Sequence, residues 1–82
     1  MLLLLSGKNC SACTHQKRAL RMAELTFHEV DVESEEGRKK TAKWNIRSIP
    51  QLLITDMSGD LVAHAFRPGF VPAKEVLKKM EL

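Results

Sequence analysis

The chain opens on a run of apolar residues and then changes to a helical pattern. Residues 2–5 are all leucine and are followed by Ser6 and Gly7, which is typical of a central strand buried on both faces. From Asn9, the candidate N-cap, small and apolar residues recur at helical spacing. The pattern predicts a strand that leads directly into a helix. The residues predicted to share its buried face are Ala12, Ala19, Leu20 and Ala23.

Two more strands and a helix are predicted in the middle of the chain. Residues 27–32 read as a second strand, and Ser34 can cap a second helix. Acidic residues in its first turn and lysines later suit the helix dipole, although Gly37 weakens the helix by about 1 kcal/mol relative to alanine. Residues 51–55 read as a third strand.

The last third of the chain predicts a hairpin and a final helix. The turn-forming composition of residues 56–60 joins the third strand to a fourth at residues 61–66. Pro72 is predicted as the first residue of the last helix. The buried side chains of that helix are predicted to be Ala73, Val76, Leu77 and Met80.

The order β-α-β-α-β-β-α predicts one α/β domain over residues 1–82, with four strands in a mixed sheet and three helices. Its β-α-β start implies parallel strands with a right-handed crossover. The net charge is +3 and no recognition motif accompanies it, so an acidic protein is a better expected partner than nucleic acid. No apolar stretch approaches the ~20 residues that span a bilayer, and the N-terminal leucines lack the features of a signal peptide. We expect a soluble, cytoplasmic monomer.

The candidate chemistry lies in the only two cysteines, Cys10 and Cys13, which form a CxxC pair at the start of the first helix. A helix N-terminus favours the thiolate form of the first cysteine. A thiolate with a second thiol in reach attacks a disulfide and is then released by its neighbour. We therefore predict that Cys10 attacks, Cys13 resolves, and the working group is their reversible disulfide, with no bound cofactor.

Half of a zinc or iron–sulfur site is the main structural alternative for the cysteine pair. Zinc usually takes four ligands, often two CxxC pairs or one CxxC pair with two closely spaced histidines. Here His15, His28 and His64 are scattered along the chain. No metal is therefore predicted, and dithiol chemistry is the preferred interpretation.

Taken together, these features resemble the thioredoxin fold in its minimal, glutaredoxin-sized form. The resemblance depends on the first strand, the CxxC pair, the sequence Ser48-Ile49-Pro50 before the third strand, and the final helix. It implies that Pro50 is cis and faces the cysteine pair. It also implies that the backbone N–H and C=O of Ile49 are free to pair with an extended peptide.

Within that superfamily the chain is most similar to the NrdH-type redoxins. The motifs that carry this similarity are Lys17-Arg18-Ala19-Leu20, the run from Trp44 to Gln51, and Phe66-Arg67-Pro68. The resemblance implies that electrons pass from NADPH through thioredoxin reductase to this protein and on to ribonucleotide reductase. At the place of Phe66-Arg67-Pro68, glutathione-using glutaredoxins carry Gly-Gly followed by an acidic residue. They also carry an aromatic residue between the two cysteines of the CxxC pair. This chain has only Gly69 there, and Ser11-Ala12 between the cysteines.

Two alternatives remain open at this point. One is a glutathione-dependent glutaredoxin, with glutathione as partner, and the other is a metal-binding or non-catalytic adaptor of thioredoxin fold. In the preferred interpretation three loops converge on the cysteines, and their basic residues attract an acidic segment. The predicted substrate-binding residues are Lys8, Ser11, Ala12, Arg47, Ser48, Ile49, Pro50, Phe66, Arg67 and Gly69.

Overall fold

A computed structural model describes residues 1–63 and 65–80 of the chain. Its elements follow the predicted order and form an α/β arrangement of three helices and four strands. They are β1 (Leu2–Ser6), α1 (Ser11–Met22), β2 (His28–Asp31), α2 (Glu35–Lys43), β3 (Gln51–Thr55), β4 (Leu61–Ala63) and α3 (Ala73–Met80).

The four strands form one mixed sheet in the order β2-β1-β3-β4. β1 pairs in parallel with β2 and antiparallel with β3, and β3 pairs antiparallel with β4. All five residues of β1 are buried, as expected for a strand with neighbours on both sides and helices on both faces. The topology confirms the predicted minimal thioredoxin fold.

Alternate leucines of β1 contribute to two separate cores, because successive side chains of a strand point to opposite faces. Leu2 and Leu4 pack with Leu20 of α1 and Val76 of α3 on one face. On the other face, Leu3 and Leu5 belong to a cluster against which the half-buried Trp44, at the end of α2, packs. Trp44 is thus a packing residue. The sheet therefore holds α1 and α3 on one side and α2 on the other.

The start and the buried face of α1 differ from the prediction. Asn9 has a positive φ of 55° and precedes the cap, and Cys10 is the N-cap residue. The fully buried residues of the helix are Cys13, Gln16 and Leu20, while the predicted Ala12 and Ala19 are only partly buried. The predicted face is therefore rotated, because a polar glutamine and a cysteine occupy core positions.

Helix α2 begins after Ser34, whose hydroxyl oxygen accepts a hydrogen bond from the N–H of Gly37 at 3.0 Å, as the predicted cap requires. Gly37 is buried, and a Cβ built on it would overlap the carbonyl oxygen of Asp31 at the end of β2. The glycine that weakens the helix locally is therefore what lets α2 lie against β2. Close packing explains a residue that helix propensity alone disfavours.

The C-terminal third departs from the prediction in three places. Strand β4 covers Leu61–Ala63, and neither Ala65 nor Phe66 belongs to a strand, although the prediction extended it to residue 66; His64, which was assigned to it, lies outside the described residues. Pro72 immediately precedes α3, and its carbonyl accepts from the N–H of Val76 at 3.1 Å. Leu77 is 44% exposed and does not join Val76 in the core.

No helix among residues 1–63 and 65–80 is long and apolar enough to cross a membrane.

Candidate active site

The two cysteines are joined by a disulfide and have different surroundings. Their Cα atoms are 5.2 Å apart, and Cys10 Sγ accepts a hydrogen bond from the N–H of Cys13 at 3.1 Å. Cys10 is half-buried at the helix cap, whereas Cys13 is 1% exposed within the first turn. The cap therefore directs a backbone donor at the more accessible sulfur. A donor at that position favours a thiolate when the disulfide is reduced.

A polar cavity of about 810 Å³ opens beside Cys10. Lys8 and Ser11 line it together with Cys10, so three predicted site residues share this cavity. On its far wall Glu29 of β2 accepts from the Ser6 hydroxyl at 2.7 Å and pairs with Lys17 of α1 at 3.1 Å.

The charge on Glu29 is fixed by these partners. Burial raises the pKa of Glu29, but the hydrogen bonds from Ser6 and Lys17 and the positive charges of Lys17 and Arg21 outweigh that effect and hold the pKa below its usual value. Glu29 is therefore ionised at neutral pH. Its contacts with Ser6 and Lys17 connect β2 to β1 and to the middle of α1.

The peptide bond between Ile49 and Pro50 is cis, as the resemblance implied. Gly7 lies against this segment, since a Cβ built on Gly7 would be 2.7 Å from Ile49 Cδ1. The ring of Pro50 is fully buried, and Ile49 is half-buried. Within the part of the chain that is described, neither the N–H nor the C=O of Ile49 has a backbone hydrogen-bond partner.

Residues 66–71 form an irregular segment that is hydrogen-bonded to the rest of the molecule at Phe66, Gly69 and Val71. The N–H of Gly69, whose φ is 94°, donates to the carbonyl of Pro50 at 2.8 Å. The amide of Gln51 donates to the carbonyl of Phe66 at 3.2 Å. The side chain of Gln16 donates to the carbonyl of Val71 at 2.9 Å and accepts from its N–H at 2.7 Å. The segment therefore joins the cysteine helix to the cis-proline loop.

Gln16 was not among the predicted site residues, although the sequence contains a signal for it. It lies three positions after Cys13 and four before Leu20, which places a polar residue on the buried face of a helix. A buried amide needs hydrogen-bond partners, so such a residue predicts a contact with polar backbone elsewhere in the fold. The sequence does not indicate which backbone.

The remaining predicted residues divide between separate surfaces. Arg47, Ser48 and Phe66 line one cleft with Pro68. Ala12 instead lines a mostly apolar groove on α1, where Phe70 forms part of the wall. The Arg67 guanidinium forms an ion pair with the Glu75 carboxylate in the first turn of α3. Arg67 is thus already neutralised within the molecule, which the sequence did not suggest.

Of the histidines considered as metal ligands, the two that the structure describes lie on different elements. His28 lies on β2, with its ring 3.8 Å from the Glu36 carboxylate, and His15 lies on the exposed side of α1. Among residues 1–63 and 65–80, no group of three or more histidine, cysteine, aspartate or glutamate side chains is placed to hold a metal ion. The cysteine pair forms a disulfide instead.

Comparisons with known proteins agree with this geometry. The family model described as Glutaredoxin matches residues 2–58, which include the cysteine pair and Pro50. The crystal structure of a mutant of the thioredoxin-like protein BC3987 is similar, with a TM-score of 0.71 over 99% of this chain and 100% of that chain. The two sequences are 18% identical, so this likeness concerns the fold. No curated relative matches the chain.

Proposed function

The chain belongs to the glutaredoxin family and is a thiol–disulfide oxidoreductase, and from this premise we propose that it works as an NrdH-type electron carrier. In this role it takes two electrons from thioredoxin reductase, which draws them from NADPH, and passes them to ribonucleotide reductase. The observation that carries the proposal is the segment of residues 66–71, which the Gly69–Pro50 hydrogen bond ties to the cis-proline loop. Its Phe-Arg-Pro sequence is the strongest likeness to that subgroup.

The exchange chemistry follows from the unequal exposure of the cysteines. The Cys10 thiolate attacks one sulfur of the partner disulfide, forms a mixed disulfide and releases the other partner sulfur as a thiolate. Cys13 loses its proton and attacks the Cys10 sulfur, which restores the Cys10–Cys13 disulfide and releases the second partner thiolate. The two released thiolates take up protons according to their pKa values. Two electrons pass to the partner.

The partner polypeptide is expected to lie in an extended conformation beside the cysteines. The unpaired N–H and C=O groups of Ile49 offer a short strand-like edge for such a peptide. Lys8 and Arg47 are exposed near this edge, and neither forms an ion pair among the described side chains. Their positive charge favours a segment that carries acidic residues.

The alternative, reduction by glutathione, has less support in the charges of the site. Glutathione carries an ammonium group and two carboxylates, so a specific site needs an available acid as well as bases. In the first turn of α3 the acidic residue is Glu75, and Arg67 already pairs with it. The ion pair therefore leaves this acid less able to bind the ammonium group. This agrees with the single glycine, Gly69, in place of Gly-Gly and an acidic residue.

Electron supply separates the two candidates directly. The oxidised protein is incubated with NADPH and thioredoxin reductase, or with NADPH, glutathione and glutathione reductase, and NADPH consumption is followed with insulin as the final acceptor. We expect turnover in the first mixture and only the uncatalysed background in the second. Turnover with glutathione and none with thioredoxin reductase would reject the NrdH-type assignment in favour of a glutathione-dependent glutaredoxin. A Cys10→Ser variant is the control for both mixtures.

A further inference from the structure

Gln16 is a fully buried polar side chain that the exchange chemistry does not use. It is 0% exposed, and its amide forms two hydrogen bonds with the backbone of one residue, the N–H and C=O of Val71. An apolar residue at this position would join the core beside Leu20 with no polar side-chain atoms of its own, but it would leave the N–H and C=O of Val71 without these partners. A buried amide is costly unless it is hydrogen-bonded, so its presence calls for a reason beyond packing.

Residues 66–71 pair with no strand, and the two hydrogen bonds from Gln16 satisfy the backbone of Val71 near the end of this segment. No residue from Ala65 to Pro72 belongs to a helix or strand. The segment of residues 66–71 is fixed instead by Gln51 at Phe66, by the Pro50 carbonyl at Gly69 and by Gln16 at Val71. Of these ties, only the one from Gln16 comes from the helix that carries the cysteines. Phe66 and Val71 also pack in the apolar core that contains Leu20, and Gln16 adds the polar contact between the segment and α1.

The same helical face carries Gln16 and Cys13, one turn apart. Hydrogen bonds thus run from the cysteine helix through Val71 and Gly69 to Pro50, across three parts of the chain that are distant in sequence. The segment meets α1 at the groove that Phe70 lines together with Ala12, the residue that precedes Cys13, so the distance of the segment from α1 determines the width of this groove.

We propose that Gln16 is a positioning residue for protein disulfides: it holds residues 66–71 at the spacing that lets a polypeptide lie beside Cys10. The proposal rests on the proposed extended docking of the partner, but it does not depend on which reductase or acceptor is the natural one. Among the described contacts, the Gln16 amide is hydrogen-bonded to Val71 and to neither cysteine sulfur. Its effect belongs to recognition and not to the exchange step.

Loss of the Gln16 amide should release the segment. Without it, the N–H and C=O of Val71 are left unpaired, and a buried unpaired polar group is unfavourable. The segment can avoid that cost by moving so that water reaches Val71. The ties at Phe66 and Gly69 remain, so we expect a local opening at Val71 and not a loss of the fold.

The test uses Gln16→Met, which keeps the unbranched shape and similar length but removes both hydrogen bonds. The reduction of insulin and of hydroxyethyl disulfide is measured, each with a saturating chemical reductant for the enzyme. We expect KM for insulin to rise about tenfold, the effect of one to two ordinary hydrogen bonds, with kcat unchanged. The rate with the small disulfide and the equilibrium of Cys10–Cys13 with a thiol redox buffer should stay the same. Amide hydrogen exchange at Val71 should accelerate.

Two further variants separate positioning from a general loss of stability. Thr55→Val removes another buried polar group, whose hydroxyl donates to the Met1 carbonyl at 3.5 Å and has no contact with the segment. It should leave KM for insulin unchanged. Gln16→Glu can form both bonds only as the neutral acid, and burial raises the pKa of such a carboxyl group. For Gln16→Glu, the rate of insulin reduction divided by the rate of hydroxyethyl disulfide reduction should therefore rise toward the wild-type value as the pH falls. For the wild type, this ratio should not change with pH.

Three results would overturn the proposal. Faster exchange at Val71 with an unchanged KM for insulin would mean that the position of the segment does not matter for recognition. An equal loss with both disulfides would place the effect of Gln16 on the cysteine pair itself. If Gln16→Met does not fold, a pH-independent ratio in Gln16→Glu would reject the positioning role. Failure of the thioredoxin reductase assay would affect none of these readouts.

Discussion

At the scale of single residues, two identical side chains acquire different roles from their positions in one helical turn. Cys10 is the N-cap of α1, lies half-exposed beside a polar cavity and receives the N–H of Cys13. Cys13 is buried within the turn and is 1% exposed. A backbone donor stabilises a thiolate, whereas burial in apolar surroundings disfavours one. Cys10 is therefore expected to be the nucleophile and Cys13 the resolving thiol.

Serine substitutions should separate these roles. Cys10→Ser should abolish disulfide reduction, because no thiolate then remains at the accessible position. Cys13→Ser should accumulate a mixed disulfide through Cys10, because nothing is left to resolve it. Intact-mass spectrometry without reductant detects the mixed disulfide. In the reduced wild type, a titration that follows thiolate absorbance should give Cys10 a pKa below the free value of about 8.5. A lower pKa for Cys13 than for Cys10 would reverse the assignment.

At the scale of elements, the position of α2 on the sheet depends on the absence of one side chain. Gly37 is in the first turns of α2 and packs against the carbonyl of Asp31 at the end of β2, where there is no space for a Cβ. For Gly37→Ala, helix propensity predicts a gain in stability and packing predicts a loss. The measured change in the free energy of unfolding therefore shows which effect is larger.

Gly37→Ala should destabilise the protein. Helix propensity alone would favour alanine by about 1 kcal/mol, but overpacking costs typically about 1–3 kcal/mol and here the obstacle is backbone, which cannot rotate away. We expect a net loss of up to about 2 kcal/mol in the free energy of unfolding, measured by urea denaturation. The control is Ala42→Gly on the exposed side of α2, which should cost about 0.5–1 kcal/mol. A gain of stability in Gly37→Ala would show that α2 shifts freely on the sheet.

At the scale of the whole molecule, the net charge is +3, and its effect on a partner depends on where the basic residues lie. Lys8 and Arg47 belong to two of the loops near the cysteines, and Arg67 belongs to the segment that is tied to Pro50. Arg67 differs from the other two because Glu75 neutralises it. A partner carboxylate must therefore compete with Glu75 for this guanidinium. Such charges act mainly on the rate of encounter and are screened by salt.

Charge reversal at Arg67 should slow the reaction with a large acidic partner but not with a small neutral disulfide. In stopped-flow measurements against ribonucleotide reductase, Arg67→Glu should lower the bimolecular rate at low salt, and the difference from wild type should shrink as salt is added. Glu75→Gln should act in the opposite direction, because it frees Arg67. Lys79→Glu, near the far end of α3, has the same net charge as Arg67→Glu and is the matched control.

The outcome of these charge variants distinguishes three roles for Arg67. Slower reaction with ribonucleotide reductase alone supports a contact with the partner. An equal loss with hydroxyethyl disulfide would mean that Arg67 acts on the Cys10 thiolate. If Lys79→Glu slows the reaction as much as Arg67→Glu does, only the net charge matters, and no particular contact at Arg67 is involved.

The amino-acid sequence by itself determined the features that depend on neighbouring residues. The all-leucine run gave β1, the Ser34 cap and the charge order gave α2, and the CxxC pair at a helix start gave the dithiol chemistry. Resemblance to a known fold added the cis bond before Pro50. These features follow from periodicity, capping and short motifs, which act over a few positions.

Only the tertiary structure decided which distant groups meet. Gln16 and Val71 are 55 positions apart, and neither the helical pattern around one nor the loop composition around the other specifies the pairing. The Arg67–Glu75 ion pair and the overlap that excludes a side chain at Gly37 also depend on how elements pack. A buried amide in the sequence signals that a partner exists, because it must be satisfied. Its identity depends on the relative position of α1 and the segment, which packing of the whole molecule fixes.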